Sequence, residues 1–277
     1  NGGVVKEEDV DRALESAMAV AMPHNREIIH VIQRGFTIDG QDGIQSPVNF
    51  SGYRLEVEAH IITAAAATVD NLRQCVESNK VEVLQFVLNP LASGEVVLSK
   101  SEREMGVCVC DIGGGTSDLA IYINGDVWHT NVLPVGGNHI THDISVGLRV
   151  NTDLAEQVKL KYGHAVKADV GEDEFFTLKS FGDESPQQTS RRELAFIIEA
   201  RVEEIFDLLH QEIRRSGYDN LLPAGMVLTG GTSQLPGIKK IAADVLGMPV
   251  RVAKPENLVG LVDQLQSPAF STSVGLL

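Results

Sequence analysis

The segment Asp111-Ile-Gly113-Gly114-Gly115-Thr116-Ser-Asp118 follows a short apolar run and carries three consecutive glycines. A backbone without Cβ atoms can approach a ligand closely and aim several N–H groups at one point, which is what a phosphate requires. Asp111, at the end of the apolar run, is suited to hold water on a Mg²⁺ ion that neutralises the phosphates. No Gly-Lys-Ser/Thr follows, and the glycines join two strand patterns rather than a strand and a helix, so this is not a Walker loop. Taken alone, the motif also fits a tight hairpin turn with no ligand.

Two further groups add to it. Met226-Val-Leu-Thr-Gly230-Gly231-Thr232 joins a buried strand to a helix through two glycines, at the carboxyl end of a strand where open α/β sheets bind ligands. Close helix–strand packing would explain the same glycines. Glu156 and Lys159 stand three apart on a helical pattern and reach the same side; as a solvated pair they would contribute only ~0.3–0.5 kcal/mol. Other candidates read as structural. Cys108 and Cys110 alternate on one strand and suit a core, His139 and His142 lack a third ligand for zinc, and Trp128 suits the core.

These residues need a framework. Acidic Glu7, Glu8 and Asp9 precede Val10, Ala13, Leu14 and Ala17 at helical spacing, so the chain opens with an amphipathic helix. Strands are expected over 27–38 and 52–62, with the loop Gly43-Ile-Gln-Ser-Pro47 between them, then a helix over 69–79 and a strand over 81–88. Asn89-Pro90 marks a strand-to-helix corner. Beyond a boundary near Met105, strands at 107–112 and 119–123 flank the glycines, and Asn124-Gly125 turns the chain into a strand over 127–133. Gly136-Gly137 opens a helix, another covers 154–162, and 171–188 reads as a variable loop. Ser190-Arg-Arg-Glu193 has capping-box spacing ahead of a long helix ending near Gly217. Strands at 226–228 and 250–252 and helices at 236–246 and from Ser271 complete the pattern.

The chain has 277 residues, and 23 basic against 38 acidic side chains leave a net charge of −15. That balance repels a phosphate backbone and excludes a general nucleic-acid binder. With 43% hydrophobic residues a buried core is assured, which excludes a disordered or fibrous chain. Three cysteines are too few for a disulfide framework and point to a reducing compartment, the cytoplasm. The longest weakly polar run, 61–69, is about half the ~20 residues of a membrane span, and the N-terminus lacks a signal-peptide pattern.

Together the three groups, in this order, resemble the actin-like ATPase superfamily. The first half narrows the match: His30-Val-Ile-Gln-Arg-Gly-Phe-Thr-Ile-Asp39, Ser51-Gly-Tyr-Arg-Leu-Glu-Val-Glu-Ala-His60, Asn89-Pro-Leu-Ala-Ser-Gly94 with Glu104-Met-Gly-Val107, and Ser271-Thr-Ser-Val-Gly-Leu-Leu277 resemble the bacterial cell-division family FtsA. The resemblance implies an actin-like, ribonuclease-H-like α/β fold with a small inserted α/β lobe. It divides the chain into a polymer-contact lobe over 1–62, a remnant of the first domain over 63–105, a nucleotide-binding part over 106–140 and 224–277, and a further subdomain over 141–223.

By the same resemblance ATP is bound with Mg²⁺ by Gly113, Gly114, Gly115 and Thr116, by Gly136, Gly137 and Asn138, by Glu156 and Lys159, and by Gly230, Gly231 and Thr232. Asp111 holds the Mg²⁺ through water. The family polymerises, tethers the tubulin-like protein FtsZ to the inner membrane at the division septum, and contacts other division proteins through the lobe. Arg191, Arg192 and Arg201 on the long helix are then candidates to pair acidic groups of the FtsZ C-terminal peptide. The family's first phosphate loop and its C-terminal membrane-targeting helix have no counterpart between Asn1 and Leu277, so the chain is expected to be incomplete at both ends. Asn89, Pro90 and Leu91 offer no carboxylate or Gln to position water. No catalytic residue is therefore assigned, and ATP turnover is expected to be slow or nil. A sugar-kinase-like phosphotransferase of the same fold is the alternative.

Overall fold

The computed structural model describes residues 3–19, 25–182, 184–256 and 265–277. They form two compact units, Asn1–Leu88 with Asp126–Trp128, and Asn89–Gly125 with His129–Leu277.

The first unit begins with β1 (Gly3–Val4) and α1 (Glu7–Met18), whose first turn carries the three acids next to its positive dipole end. β2 (Arg26–Ile38), β3 (Gln41–Ile44) and β5 (Leu55–Ala65) make an antiparallel sheet of order β3-β2-β5, and β4 (Ser51–Gly52) pairs with β1. The stretch read as a loop from Gly43 thus contains the end of β3. Asp39 and Gly40, with φ of 49° and 87°, make the two-residue turn that twisted hairpins favour, a signal the Asp-Gly dipeptide carried. The core here is small: Val5, Phe36, Ile38 and Ile44 are buried, with Val10, Leu55 and Val57 packed on them.

α2 (Ala66–Glu77) follows directly. The strand expected over 81–88 is absent; the segment carries no regular element. A strand needs a neighbour to take its backbone hydrogen bonds, and none of the described strands pairs with it, leaving Val81 and Leu84 exposed. Trp128 is half-buried rather than core, with the Arg34 guanidinium 5.3 Å from its ring centroid.

The second unit opens with α3 (Asn89–Val97) and α4 (Lys100–Met105). Its sheet combines β6 (Val107–Ile112), β7 (Ser117–Ile123), β8 (Asp126–Leu133), β11 (Met226–Thr229) and β12 (Val250–Val252) in the order β12-β11-β6-β7-β8. β11 runs parallel to β6 and β12, whereas β6 and β7 form an antiparallel hairpin. Every residue of β6, β7 and β11 is buried, and burial pushes the Cys108 thiol up to about 12, as inert core cysteine requires. Between β8 and β11 come α5 (Gly137–Gly147), α6 (Thr152–Tyr162), β9 (Phe175–Leu178), β10 (Gln187–Ser190) and α7 (Arg191–Ser216). α8 (Ile238–Leu246) and α9 (Ser271–Gly275) complete it.

Two expectations change here. The supposed loop over 171–188 contains most of the β9–β10 hairpin, because alternate residues Phe176 and Leu178 are buried, and Phe176 stacks on Tyr162 at 4.6 Å. Ser190 does not cap α7 with its side chain; it ends β10 opposite Phe175, and the first amide of the helix, that of Arg191, donates to Glu174 O at 2.9 Å. α7 itself buries Leu194, Ile198, Val202, Ile205, Leu209 and Ile213 as one stripe, and Gly217 in the left-handed region ends it.

β12 is tied to α4 by Arg251, whose Nε and Nη2 donate to the Glu102 carboxylate at 2.7 and 2.8 Å. Those hydrogen bonds hold Glu102 at about 2, below its ordinary 4.5. Because the folded-state value is the lower one, the resulting stability is present above about pH 4.5 and is lost as pH falls toward 2. In urea titrations across that window, Glu102→Gln should flatten the acid-side loss of stability; an unchanged pH profile would show that the pair contributes nothing.

Candidate nucleotide-binding site

The hairpin between β6 and β7 turns at Gly113–Thr116, where Gly113 N donates to Thr116 O at 2.9 Å. The next three amides, of Gly114, Gly115 and Thr116, donate to nothing among the described residues. Gly114 and Gly115 are exposed, and a Cβ on Gly115 would meet nothing within 4 Å. Consecutive unpaired N–H groups beside open space are the raw material of an anion cradle.

The turn's carbonyls point the other way, into the body. Gly113 O accepts from Gly137 N and from Thr232 Oγ1, both at 2.9 Å, and Gly114 O accepts from Asn138 N at 2.8 Å. Gly136 has to be glycine for this approach: a Cβ there would lie 2.7 Å from Gly113 O and 2.8 Å from Gly114 O. At the end of β11, Gly230 adopts φ 85°, and a Cβ on it would meet Ile112 O at 2.5 Å. Gly231–Gln234 then makes a single 3₁₀ turn. The three glycine-bearing segments therefore meet at this turn, through two backbone hydrogen bonds, the Thr232 hydroxyl and the close approach of Gly230 to Ile112.

Asp111 lies behind the turn, 8% exposed, with Oδ2 accepting from Thr272 Oγ1 at 2.7 Å. Burial pushes its carboxyl up; the Thr272 hydrogen bond opposes this, and the charge of Asp118, opposite it in the hairpin register, adds to it. Asp118 is itself buried and accepts from Asn89 Nδ2 at 3.0 Å and Thr116 Oγ1 at 3.1 Å. A nearby divalent cation would relieve that repulsion. No group of three or more His, Cys, Asp or Glu among the described residues could cage a metal. The buried Asp111 carboxylate beside Asp118 is chemically compatible with a Mg²⁺ held through water, in which a carboxylate supports the ion without caging it.

The opposite wall comes from α5 and α6. Glu156 and Lys159 form an ion pair at 2.7 Å, and Lys159 Nζ also donates to Gly137 O at 3.0 Å and Thr141 Oγ1 at 2.8 Å. Burial pushes the Glu156 carboxyl up, but the Lys159 and Thr141 hydrogen bonds outweigh it and hold the group below its ordinary range. A cleft of ≈ 430 Å³ is lined by Gly114, Gly137, Asn138, Glu156, Lys159, Gly231 and Thr232, with Leu160, Leu235 and Pro236 supplying apolar surface. That combination of apolar wall, unpaired amides and one carboxylate suits a nucleotide.

The three arginines lie elsewhere on this unit and already face carboxylates. Arg191 pairs with Glu174 at 2.5 Å and donates to Tyr162 O, Arg192 pairs with Glu172, and Arg201 grips Asp143 through two nitrogens at 2.5 and 3.0 Å while also reaching Glu204. Sequence reasoning passed over Thr141, Asp118 and Thr272. Asp118 was legible as the register partner of Asp111 across a short hairpin. Thr272 was not, since its contact joins positions 161 residues apart.

The fold is that of the actin-like ATPases. Solved structures similar to this chain include the PilM–PilN type IV pilus biogenesis complex, with a TM-score of 0.65 at 18% identity over 100% of this chain and 74% of that one. MreB5 of Spiroplasma citri bound to ADP gives 0.60 at 21% identity over 77% and 64%, and the MamK double helical filament gives 0.53 at 17% over 77% and 65%. Within that class the assignment is specific. The model of the cell division protein FtsA matches residues 108–275, and that of the SHS2 domain inserted in FtsA matches residues 1–63.

Among relatives, FtsA of Pseudomonas aeruginosa is 42% identical over 97% of this chain and 64% of its own length. FtsA of Neisseria meningitidis serogroup B is 43% identical over 99% and 67%, and that of Bacillus subtilis 44% over 99% and 61%. This chain belongs to the FtsA family, and it spans 61–67% of the length of these relatives. Membership favours a cell-division protein over a sugar kinase. Among the described residues no helix is long and apolar enough to cross a membrane.

Proposed function

We propose that this chain is the ATP-binding, polymer-forming core of an actin-like scaffold that links FtsZ to the inner face of the cytoplasmic membrane at the division septum. The observation that carries the ATP reading is the row of three unpaired amides, Gly114 to Thr116, in a turn anchored by its own carbonyls. Gly113, Gly114, Gly115 and Thr116 cradle the phosphates, Gly136, Gly137 and Asn138 support them from behind, and Gly230, Gly231 and Thr232 back the adenosine. Mg²⁺, when bound, offsets charge on the phosphate oxygens, and Asp111 orders its water. FtsA membership supports the division role, and the likeness to MamK, which forms a double helical filament, supports assembly.

The lobe over 1–62 would then contact neighbouring subunits and other division proteins, with 63–105, 106–140 plus 224–277, and 141–223 as the remaining parts. A body of net charge −15 is poorly suited to anionic lipid, so membrane contact belongs to a separate amphipathic helix of the complete protein. Turnover is slow because Asn89 is held by the buried Asp118 and presents no carboxylate or Gln to an attacking water. An FtsZ C-terminal peptide would exchange its acidic groups for those now on Arg191, Arg192 or Arg201; Arg192 is the most available, since its partner Glu172 is 82% exposed.

Gly115→Val tests the cradle, because its Cβ enters open space and leaves the fold undisturbed. ATP affinity should fall at least about tenfold, as expected when even one charge-assisted hydrogen bond is lost, with an unchanged melting temperature. Undiminished ATP binding would overturn the reading. Filaments of the complete protein should assemble with ATP well before phosphate is released; release keeping pace with assembly would contradict slow turnover. Arg192→Glu should weaken FtsZ-peptide binding about tenfold in fluorescence anisotropy, and equal affinity would remove that residue from the contact.

A further inference from the structure

Two adjacent residues of α9 clasp the ends of two neighbouring strands. Thr229 and Asp111 are register partners on the parallel strands β11 and β6. Ser271 Oγ lies 2.6 Å from Thr229 Oγ1, and Thr272 Oγ1 donates to Asp111 Oδ2 at 2.7 Å. Ser271 and Thr229 are wholly buried, so the first contact is an anchor closed to any ligand. The second ends on a carboxylate at the base of the phosphate turn. α9 is fixed from two further sides: the Gly230 amide donates to Pro268 O at 3.1 Å, just ahead of the helix, and a Cβ on Gly275 would collide with Ala92 O of α3. Thr272 therefore presents its hydroxyl from a fixed point.

Asp111 has little freedom left. A Cβ on Gly230 would collide with Asp111 Oδ1, so that oxygen lies against the glycine at the end of β11. Asp118 faces Asp111 in the hairpin register, and two carboxylates so placed repel each other. Without a donor on Oδ2, the Asp111 carboxylate would be free to turn away from Asp118 about its side-chain bonds. We propose that Thr272 is a positioning residue for Mg²⁺-assisted nucleotide binding, holding Asp111 in the pose that orders the ion's water. Asp111 alone addresses that water; Thr272 touches neither ion nor nucleotide. The inference deepens the ATP reading and rests on it.

Calorimetric titration of the complete protein with ATP, once in excess Mg²⁺ and once in EDTA, reads this role as a ratio of two affinities. Unsubstituted protein should bind ATP more tightly with Mg²⁺ by on the order of tenfold or more, and losing a hydrogen-bonded partner of a metal-supporting group typically costs about 10–100-fold in metal affinity. In Thr272→Val, which keeps the branched shape and loses the hydroxyl, the ratio should fall below about threefold, while Thr272→Ser, which restores the hydroxyl, keeps it. A merely structural role would weaken ATP binding equally in both conditions and leave the ratio intact, which would overturn the proposal. Asp111→Asn is a second variant, and a full Mg²⁺ effect surviving in it would overturn the proposal as well. Absence of any Mg²⁺ effect in the unsubstituted protein would defeat the role of Thr272 and leave the amide cradle standing, whereas failure to bind ATP in either condition would defeat the nucleotide reading and this inference with it.

Discussion

Two carbonyl oxygens, Gly113 O and Gly114 O, set the organisation of the cleft. A tight turn has to satisfy its backbone polar groups, and this one directs its acceptors into the protein, where Gly137 N, Asn138 N and Thr232 Oγ1 meet them. The donors are left on the outside. That polarity is what suits the turn to an anion. Each of the three contacts is worth on the order of 0.5–1.5 kcal/mol, yet together they tie segments near 113, 137 and 232 into one rigid constellation. The same closeness explains why Gly136 and Gly230 carry no side chain.

Electrostatics follow from that geometry. The wholly buried strands β6 and β7 carry Asp111 and Asp118 to the base of the turn, where low exposure and mutual repulsion raise the protonation tendency of Asp111. On a chain of net charge −15, phosphate recognition cannot come from a general positive field. What the turn offers an anion instead is a row of uncharged amides at one point, beside two acids whose repulsion a cation would relieve. On the far wall the logic is reversed: Lys159 is consumed by internal acceptors, and the accessible group is the carboxylate of Glu156.

Features encoded within a few residues were legible. Asn124-Gly125 takes positive φ at both positions as a two-residue hairpin turn requires, the apolar stripe of α7 lies buried, and the glycine groups sit at strand ends as their flanks implied. Features that depend on a distant partner were not. The 81–88 segment has strand composition but no described neighbour, Trp128 lies under Arg34 rather than inside the core, and Ser190, the last residue of β10 opposite Phe175, makes no side-chain cap on α7.

The amino-acid sequence by itself carried the kinship with FtsA, through segments that resemble that family, and with it the class of the fold; its glycine spacing marked the turn at Gly113–Thr116, because such signals act locally. Only the tertiary structure decided which groups at the site are free. Amides, carboxylate oxygens and ammonium protons become available or occupied according to what packs beside them, so Lys159, conspicuous in sequence, is saturated, while one oxygen of Glu156 and three amides of the turn remain open.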